Sequence, residues 1–157
     1  MKTKTIITEI SAGDLTDLFS AALCGSNYLS AGYDEQDTDD NDECFEDALA
    51  RILLAGGAVQ FADGYAEGCR YGSLESTLNE DGIAMYTIRL DDVMRGLERA
   101  SDGTFNARPD VSASFADGNK RFARRSFNAF ASDDSDWDAT TADCLMQIIL
   151  FDEIIYG

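Results

Sequence analysis

Histidine is absent from this chain, lysine occurs three times and proline once. Without histidine, the side chain that most often acts as general base near neutral pH is missing. A zinc site would then need all four cysteines, Cys24, Cys44, Cys69 and Cys144, converging as thiolates. They lie far apart and form no CxxC pair, so neither a metal site nor a disulfide framework is expected. Three of them fall in apolar helical patterns, which predicts reduced, mostly buried thiols. The chain also lacks a P-loop, a G-x-S-x-G elbow and a dinucleotide glycine pattern. These absences predict a protein that is not an enzyme, with no catalytic residues, no cofactor and no metal.

Long apolar runs are missing too. A membrane helix needs about 20 apolar residues. The most apolar stretch, Cys144 to Phe151, is short and interrupted by Gln147. Thr5 to Ile10, after Lys2 and Lys4, is not the apolar core of a leader peptide. The expected location is the cytoplasm, with no membrane partner.

Two near-motifs fail on spacing. A calcium loop starting at Asp37 needs Gly sixth and Glu twelfth, but those places hold Asp42 and Ala48. Starting from Asp134 they hold Ala139 and Leu145. Pro109-Asp110 followed by Asp117 and Lys120 approaches a metal-dependent nuclease pattern. There the acid and lysine must stand two apart on one strand face, and here they stand three apart.

What the chain has in excess is negative charge. Among 157 residues, 30 acids face 12 bases, a net of −18. Duplex DNA carries one charge per ~1.7 Å of axis, so this equals roughly 30 Å of duplex, close to the width of such a domain. Direct binding to nucleic acid is not expected on this ground, whereas attraction to basic surfaces is, weakening with salt. The signs are segregated. Residues 1–69 carry a net of −11, residues 70–125 are neutral, and residues 126–157 carry −7 with no base. One cluster is Asp34, Glu35, Asp37, Asp39, Asp40, Asp42, Glu43, Glu46 and Asp47. A second is Asp133, Asp134, Asp136 and Asp138, around Trp137. Lys120, Arg121, Arg124 and Arg125 form a basic segment interleaved with Phe122 and Phe127. With so much negative charge nearby, an amphipathic helix pairing with the protein's own carboxylates explains that segment better than a nucleic-acid contact.

The hydrophobic share, 45%, suits one folded domain spanning residues 1–157. Thr3 to Ile10 suggests a first strand. Ser11 with Asp14 starts a helix that uses Leu15, Leu18, Phe19, Ala22 and Leu23 and stops at Gly25. Ser26 to Tyr33 is expected as loop. A second helix runs from about Asp42 to Ala55 and ends at Gly56-Gly57. Its first turn places Asp42, Glu43, Glu46 and Asp47 where the helix dipole favours anions. Ala58 to Phe61 is a short strand, Asp63-Gly64 a turn, and Tyr65 to Leu74 a hairpin partner. Glu80-Asp81-Gly82 is a turn before the strand Ile83 to Leu90, and Asp91 caps a third helix. Ser101 to Gly118 is mostly loop. Helices follow over Asn119 to Ala131 and Asp136 to Leu150, and Ile154 to Tyr156 forms a last short strand. The order lacks βαβ alternation, so the fold class is α+β: a small antiparallel sheet packed with about four to five helices. Tyr28 and Tyr33, beside the first cluster, are either interface anchors or, more commonly for tyrosine, buried.

Three features carry a resemblance: Ala-Leu-Cys-Gly25-Ser26-Asn27-Tyr28 after the first helix, Gly56-Gly57 after the second, and the tail Gln147-Ile-Ile-Leu-Phe151-Asp-Glu153-Ile-Ile-Tyr156-Gly157. Together they resemble a group of small acidic proteins of phages and mobile elements of gut bacteria, with a "GGxNYW" turn and a "QYALFGEIVYG" tail. The likeness covers about the first hundred and the last twenty residues. This chain has Leu29 where the group has Trp, and Asp152 where it has Gly. The resemblance implies a context, the host cytoplasm, and a class, inhibitors of host defence that include DNA mimics acting against restriction or CRISPR enzymes. It carries no functional residues across.

Charge and resemblance together lead to the expectation of a DNA-mimic binding protein. Its partner is a basic nucleic-acid-binding host protein or complex, and its partner-binding residues are the thirteen acids of the two clusters. The alternative is adaptation to concentrated salt, or an accessory or structural phage role. Aspartate outnumbers glutamate 21 to 9 with three lysines, and a solvated acidic surface would then need salt to offset self-repulsion.

Overall fold

The computed structural model describes residues 9–34, 43–65, 74, 76–106, 111–132 and 137–156. Within them lie five helices and a four-stranded antiparallel sheet, an α+β arrangement. In chain order the elements are α1 (Ala12–Gly25), β1 (Leu29–Gly32), α2 (Phe45–Leu54), β2 (Val59–Asp63), β3 (Ser76–Leu78), β4 (Ala84–Ile88), α3 (Leu90–Asp102), α4 (Ala113–Ser132) and α5 (Ala139–Phe151). The expected first strand, Thr3 to Ile10, lies almost wholly outside the described residues.

α1 begins where its cap predicts. The Ser11 side chain accepts from the Asp14 backbone N–H, and the Asp14 carboxylate accepts from the Ser11 N–H. α2 starts at Phe45, with Cys44 as its cap. It ends in a Schellman turn: Gly57 N–H bonds to the Ile52 carbonyl and Gly56 N–H to that of Leu53. Gly56 has φ 89°, which is why glycine stands there.

The strand order is β1-β2-β4-β3. Leu29 pairs with Asp63, Phe61 with Tyr86, and Ser76 with Tyr86 from the other side. Leu29, Val59, Phe61, Asp63, Ala84, Tyr86 and Ile88 point into the core, and Ser30, Gln60 and Thr87 are exposed on the opposite face. One expectation changes: Ser26 to Tyr33 is not all loop, because Leu29–Gly32 forms edge strand β1, although Ser, Ala and Gly have little strand preference of their own. The expected hairpin partner, Tyr65 to Leu74, lies mostly outside the described residues, and β3 (Ser76–Leu78) pairs with β4.

α5 is the centre of the fold. Apart from Asp143, every residue from Thr141 to Phe151 is buried, as an all-round apolar helix must be. α1, α3 and α4 pack against it. α3 approaches it closely: a methyl group added at Gly96 would lie 2.6 Å from Ile149 Cα. The α3 cap is Arg89, two residues before the expected Asp91, with Asp92 accepting from its backbone N–H. α4 starts at Ala113, so much of the expected loop Ser101 to Gly118 is helix. α5 starts three residues later than expected, capped by Asp138. The tail Ile154 to Tyr156 is not a strand. Among the described residues, no helix is long and apolar enough to cross a membrane.

Candidate functional site

The outward arc of α1 organises one surface. Leu15, Leu18, Phe19 and Ala22 are its buried face. At about 100° per residue, Asp14 and Thr16 fall on opposite shoulders and Asp17 between them, facing out. On the Thr16 shoulder, the Thr16 hydroxyl donates to Asp47 Oδ1 at 2.9 Å, fixing the first turn of α2 beside α1. On the Asp14 shoulder, a small cavity of about 130 Å³ is bounded by Asp14, Asp17, the end of α4 (Ala129 to Ala131) and Trp137. Trp137 packs on Phe130 with ring centroids 5.5 Å apart.

These contacts locate the ends of both acidic segments. Tyr33 and Phe45, either side of the first, stack with centroids 5.6 Å apart. Ser132 and Trp137 bracket the second. Asp47 and Trp137 therefore lie against the same helix, which also carries the exposed Asp14 and Asp17. Neither α1 acid belonged to the sequence clusters.

The thirteen expected residues fall into three groups. Glu35, Asp37, Asp39, Asp40, Asp42, Asp133, Asp134 and Asp136 lie outside the described residues. Asp34 is exposed and Glu46 half-buried. Glu43, Asp47 and Asp138 have structural duties. Glu43 accepts from Arg51 Nε at 3.0 Å. Asp47 holds Thr16. Asp138 caps α5, its carboxylate accepting from Thr141 N–H while Thr141 Oγ1 accepts from Asp138 N–H, both at 2.9 Å. On α4, Arg124 Nε donates to the backbone carbonyl of Ser101, so this arginine engages the α3 terminus, where a carboxylate was expected. Arg121 and Arg125 are exposed.

A second feature was not anticipated. A cleft of about 670 Å³ opens between the end of α1, the start of α5 and the C-terminal tail. One wall is a cluster of three tyrosines. Tyr28 lies 4.4 Å from Tyr156 and 6.1 Å from Tyr65, centroid to centroid, and Tyr65 lies 5.7 Å from Tyr156. Tyr28 is thus mostly buried, the commoner outcome for this residue type. Its hydroxyl donates to Asp143 Oδ1 at 2.5 Å, and Tyr156 donates to buried Asp63 at 2.7 Å. Burial, then the charge of Asp143 and this bond, hold the Tyr28 phenol well above its usual range, so it stays a donor. Gln147 ties the tail down. Its amide nitrogen donates to Asp143 Oδ2 and the Tyr156 carbonyl, and its oxygen accepts from the backbone N–H groups of Ile155 and Tyr156, all at 2.7–2.9 Å. The sequence signal was the i, i+4 pair Asp143 and Gln147 inside an otherwise apolar helix.

The thiols divide differently from expectation. Cys144 is buried, but Cys24 and Cys44 are exposed, Cys24 on the outward side of α1's last turn and Cys44 at a helix cap. Cys69 lies outside the described residues. Burial pushes the Cys144 thiol from 9.0 up to about 12. Cys24 and Cys44 are therefore expected to react with a maleimide in the native protein, and Cys144 only on unfolding. The raised value also has a stability consequence. The unfolded thiol ionises first, so the contribution is intact below pH 9.0 and is lost as pH rises toward about 12. Urea melts of Cys144→Ala and wild type will show a shallower alkaline decline in the variant.

Comparisons of the chain with protein-family models, with curated proteins and with solved structures find no match, so the physical features of these two surfaces carry the functional argument.

Proposed function

We propose that this protein is an acidic binding protein that docks through the α1 face and the two flanking acidic segments. Its partner is a basic groove that otherwise holds nucleic acid, as in a DNA-mimic inhibitor of a host defence complex, directed against restriction or CRISPR enzymes and acting in the host cytoplasm. The observation that supports this reading is that groups distant in sequence lie against one helix. Asp47, from the first acidic cluster, bonds to Thr16 of α1, and Trp137, beside the second, borders a cavity with Asp14 and Asp17 of the same helix. A surface acidic only for solubility intersperses its signs. Carboxylates standing in for phosphates would compete with nucleic acid for Arg and Lys side chains, with a rate that falls with salt.

The test separates charge from fold. Asp34, Glu35, Asp37, Asp39, Asp40 and Asp42 are changed to Asn or Gln, leaving Glu43, Asp47 and Asp138, whose bonds are structural. The expected result is capture of a nucleic-acid-binding protein by wild type only, at low salt, with release by duplex DNA. A protein that captures no such partner and folds only in molar salt contradicts the proposal and points to a solvated, salt-adapted surface.

A further inference from the structure

The tyrosine-walled cleft is a separate site, and its lining has one consistent chemistry. The described residues that line it include no lysine or arginine, so in this lining the Asp143 carboxylate has no cationic neighbour. Each Asp143 oxygen takes one bond from the protein, from Tyr28 and from Gln147. A carboxylate has about four acceptor positions, so each oxygen keeps a second one. Tyr65 presents its ring to solvent, 54% exposed, beside the entrance. Ser26, Asn27, Asn119 and Thr140 add neutral hydrogen-bonding groups. The volume is that of a site for a small molecule or a single long side chain.

We infer that this cleft binds a guanidinium group, as borne by an arginine side chain. A planar cation that donates two parallel bonds to one carboxylate and stacks on an aromatic face matches this wall and floor. A carboxylate or phosphate ligand meets Asp143 without a countercharge. An ammonium group matches less well, since it offers no plane to stack on tyrosine and no fork for two oxygens. The three rings are too closely packed to admit a cation among them, so the contact is with the outward face of Tyr65. This site rests on the cleft alone and stands or falls independently of the α1 face.

The test is a ¹H–¹⁵N NMR titration of the full chain with N-acetyl-arginine amide, free arginine, and N-acetyl-citrulline amide, which has the same shape without the charge. Saturable shifts of the Ser26, Asn27 and Thr140 amides are expected with the arginine compounds, and at least tenfold weaker binding with citrulline. Tighter binding of the blocked amide marks a chain-borne arginine, and tighter binding of free arginine marks the amino acid itself; both support a guanidinium site. Asp143→Asn should weaken binding at least tenfold. Thr140→Arg, at an exposed position, should abolish it by placing the protein's own guanidinium at the cleft. Equal binding of citrulline, no effect of either variant, or shifts spread over the acidic surface and absent from the cleft would overturn the inference.

Discussion

Gln147→Ala lowers the free energy of unfolding by about 3 kcal/mol, the largest effect expected of a single polar substitution here. Gln147 is 1% exposed and uses its full capacity, two donors and two acceptors. Truncation removes the Gln147 acceptor from the backbone N–H groups of buried Ile155 and of Tyr156, and takes one bond from Asp143. Each buried group left unsatisfied costs about 1–3 kcal/mol, and release of the tail to water limits the sum. Gln147→Glu is expected to be as damaging despite its near-identical shape, because a carboxylate cannot donate to Asp143 or to the Tyr156 carbonyl. Urea unfolding measures the loss. Hydrogen exchange localises it: the amides of Ile155 and Tyr156 lose protection while those of β2 and β4 keep theirs. A loss below 1 kcal/mol, or unchanged tail protection, would mean that the tail is held by its apolar contacts alone.

The second large effect tests a sign. Helix propensity alone predicts that Gly96→Ala stabilises α3 by up to about 1 kcal/mol. The packing predicts the opposite. The new methyl would sit 2.4 Å from Ile149 Cγ1 and 2.6 Å from Ile149 Cα. A flexible side chain can yield, but the backbone of the most buried helix cannot without moving α3 away from α5. Overpacking of this kind costs about 1–3 kcal/mol, so a net loss of about 1–2 kcal/mol is expected in thermal or urea melts. Adding Ile149→Ala should not rescue it, because Cα remains. A stabilised Gly96→Ala protein would show that the α3–α5 approach is looser than described.

Local signals in the sequence located much of this architecture. The Ser11–Asp14 box, the Gly56-Gly57 stop and the Gly82 turn each have a mechanism confined to a few residues, and each was legible. What was not legible depends on partners distant in sequence. β1 is a strand because β2 offers it a ladder. The tail was expected as a strand, since Ile154 and Ile155 favour one, but a side-chain amide from α5 takes the place of a neighbouring strand's backbone. The start of α4 was hidden by residues of low helix propensity, among them Ser114, Asp117, Gly118 and Asn119. The start of α5 was misplaced because Asp136 and Asp138 are equally suitable caps by type, and only Thr141, three residues after Asp138, closes the box. Asp152 stands at φ 56°, a conformation glycine adopts freely. Its carboxylate is held there by Arg99 and Asn106.

The candidate surfaces divide the same way. Charge clustering was visible along the chain, but α1's share was not, because Asp14 and Asp17 are unremarkable until Asp47, bonded to Thr16, and Trp137 are found against the helix that carries them. The cleft joins Tyr28 to residues more than a hundred positions away, so no window of sequence contains it.

If α1 forms the middle of one docking face, as proposed, a single exposed residue on it tests the arrangement. The dissociation constant of the captured partner is measured for wild type and for Asp17→Lys at low salt, with the thermal midpoint as a control for folding. Asp17 belongs to neither sequence cluster, so a weakening of about tenfold with an unchanged melt is the predicted result. Unchanged affinity for Asp17→Lys, in a protein whose neutralised 34–42 segment no longer binds, would show that the first acidic segment acts alone and that α1 is only its support.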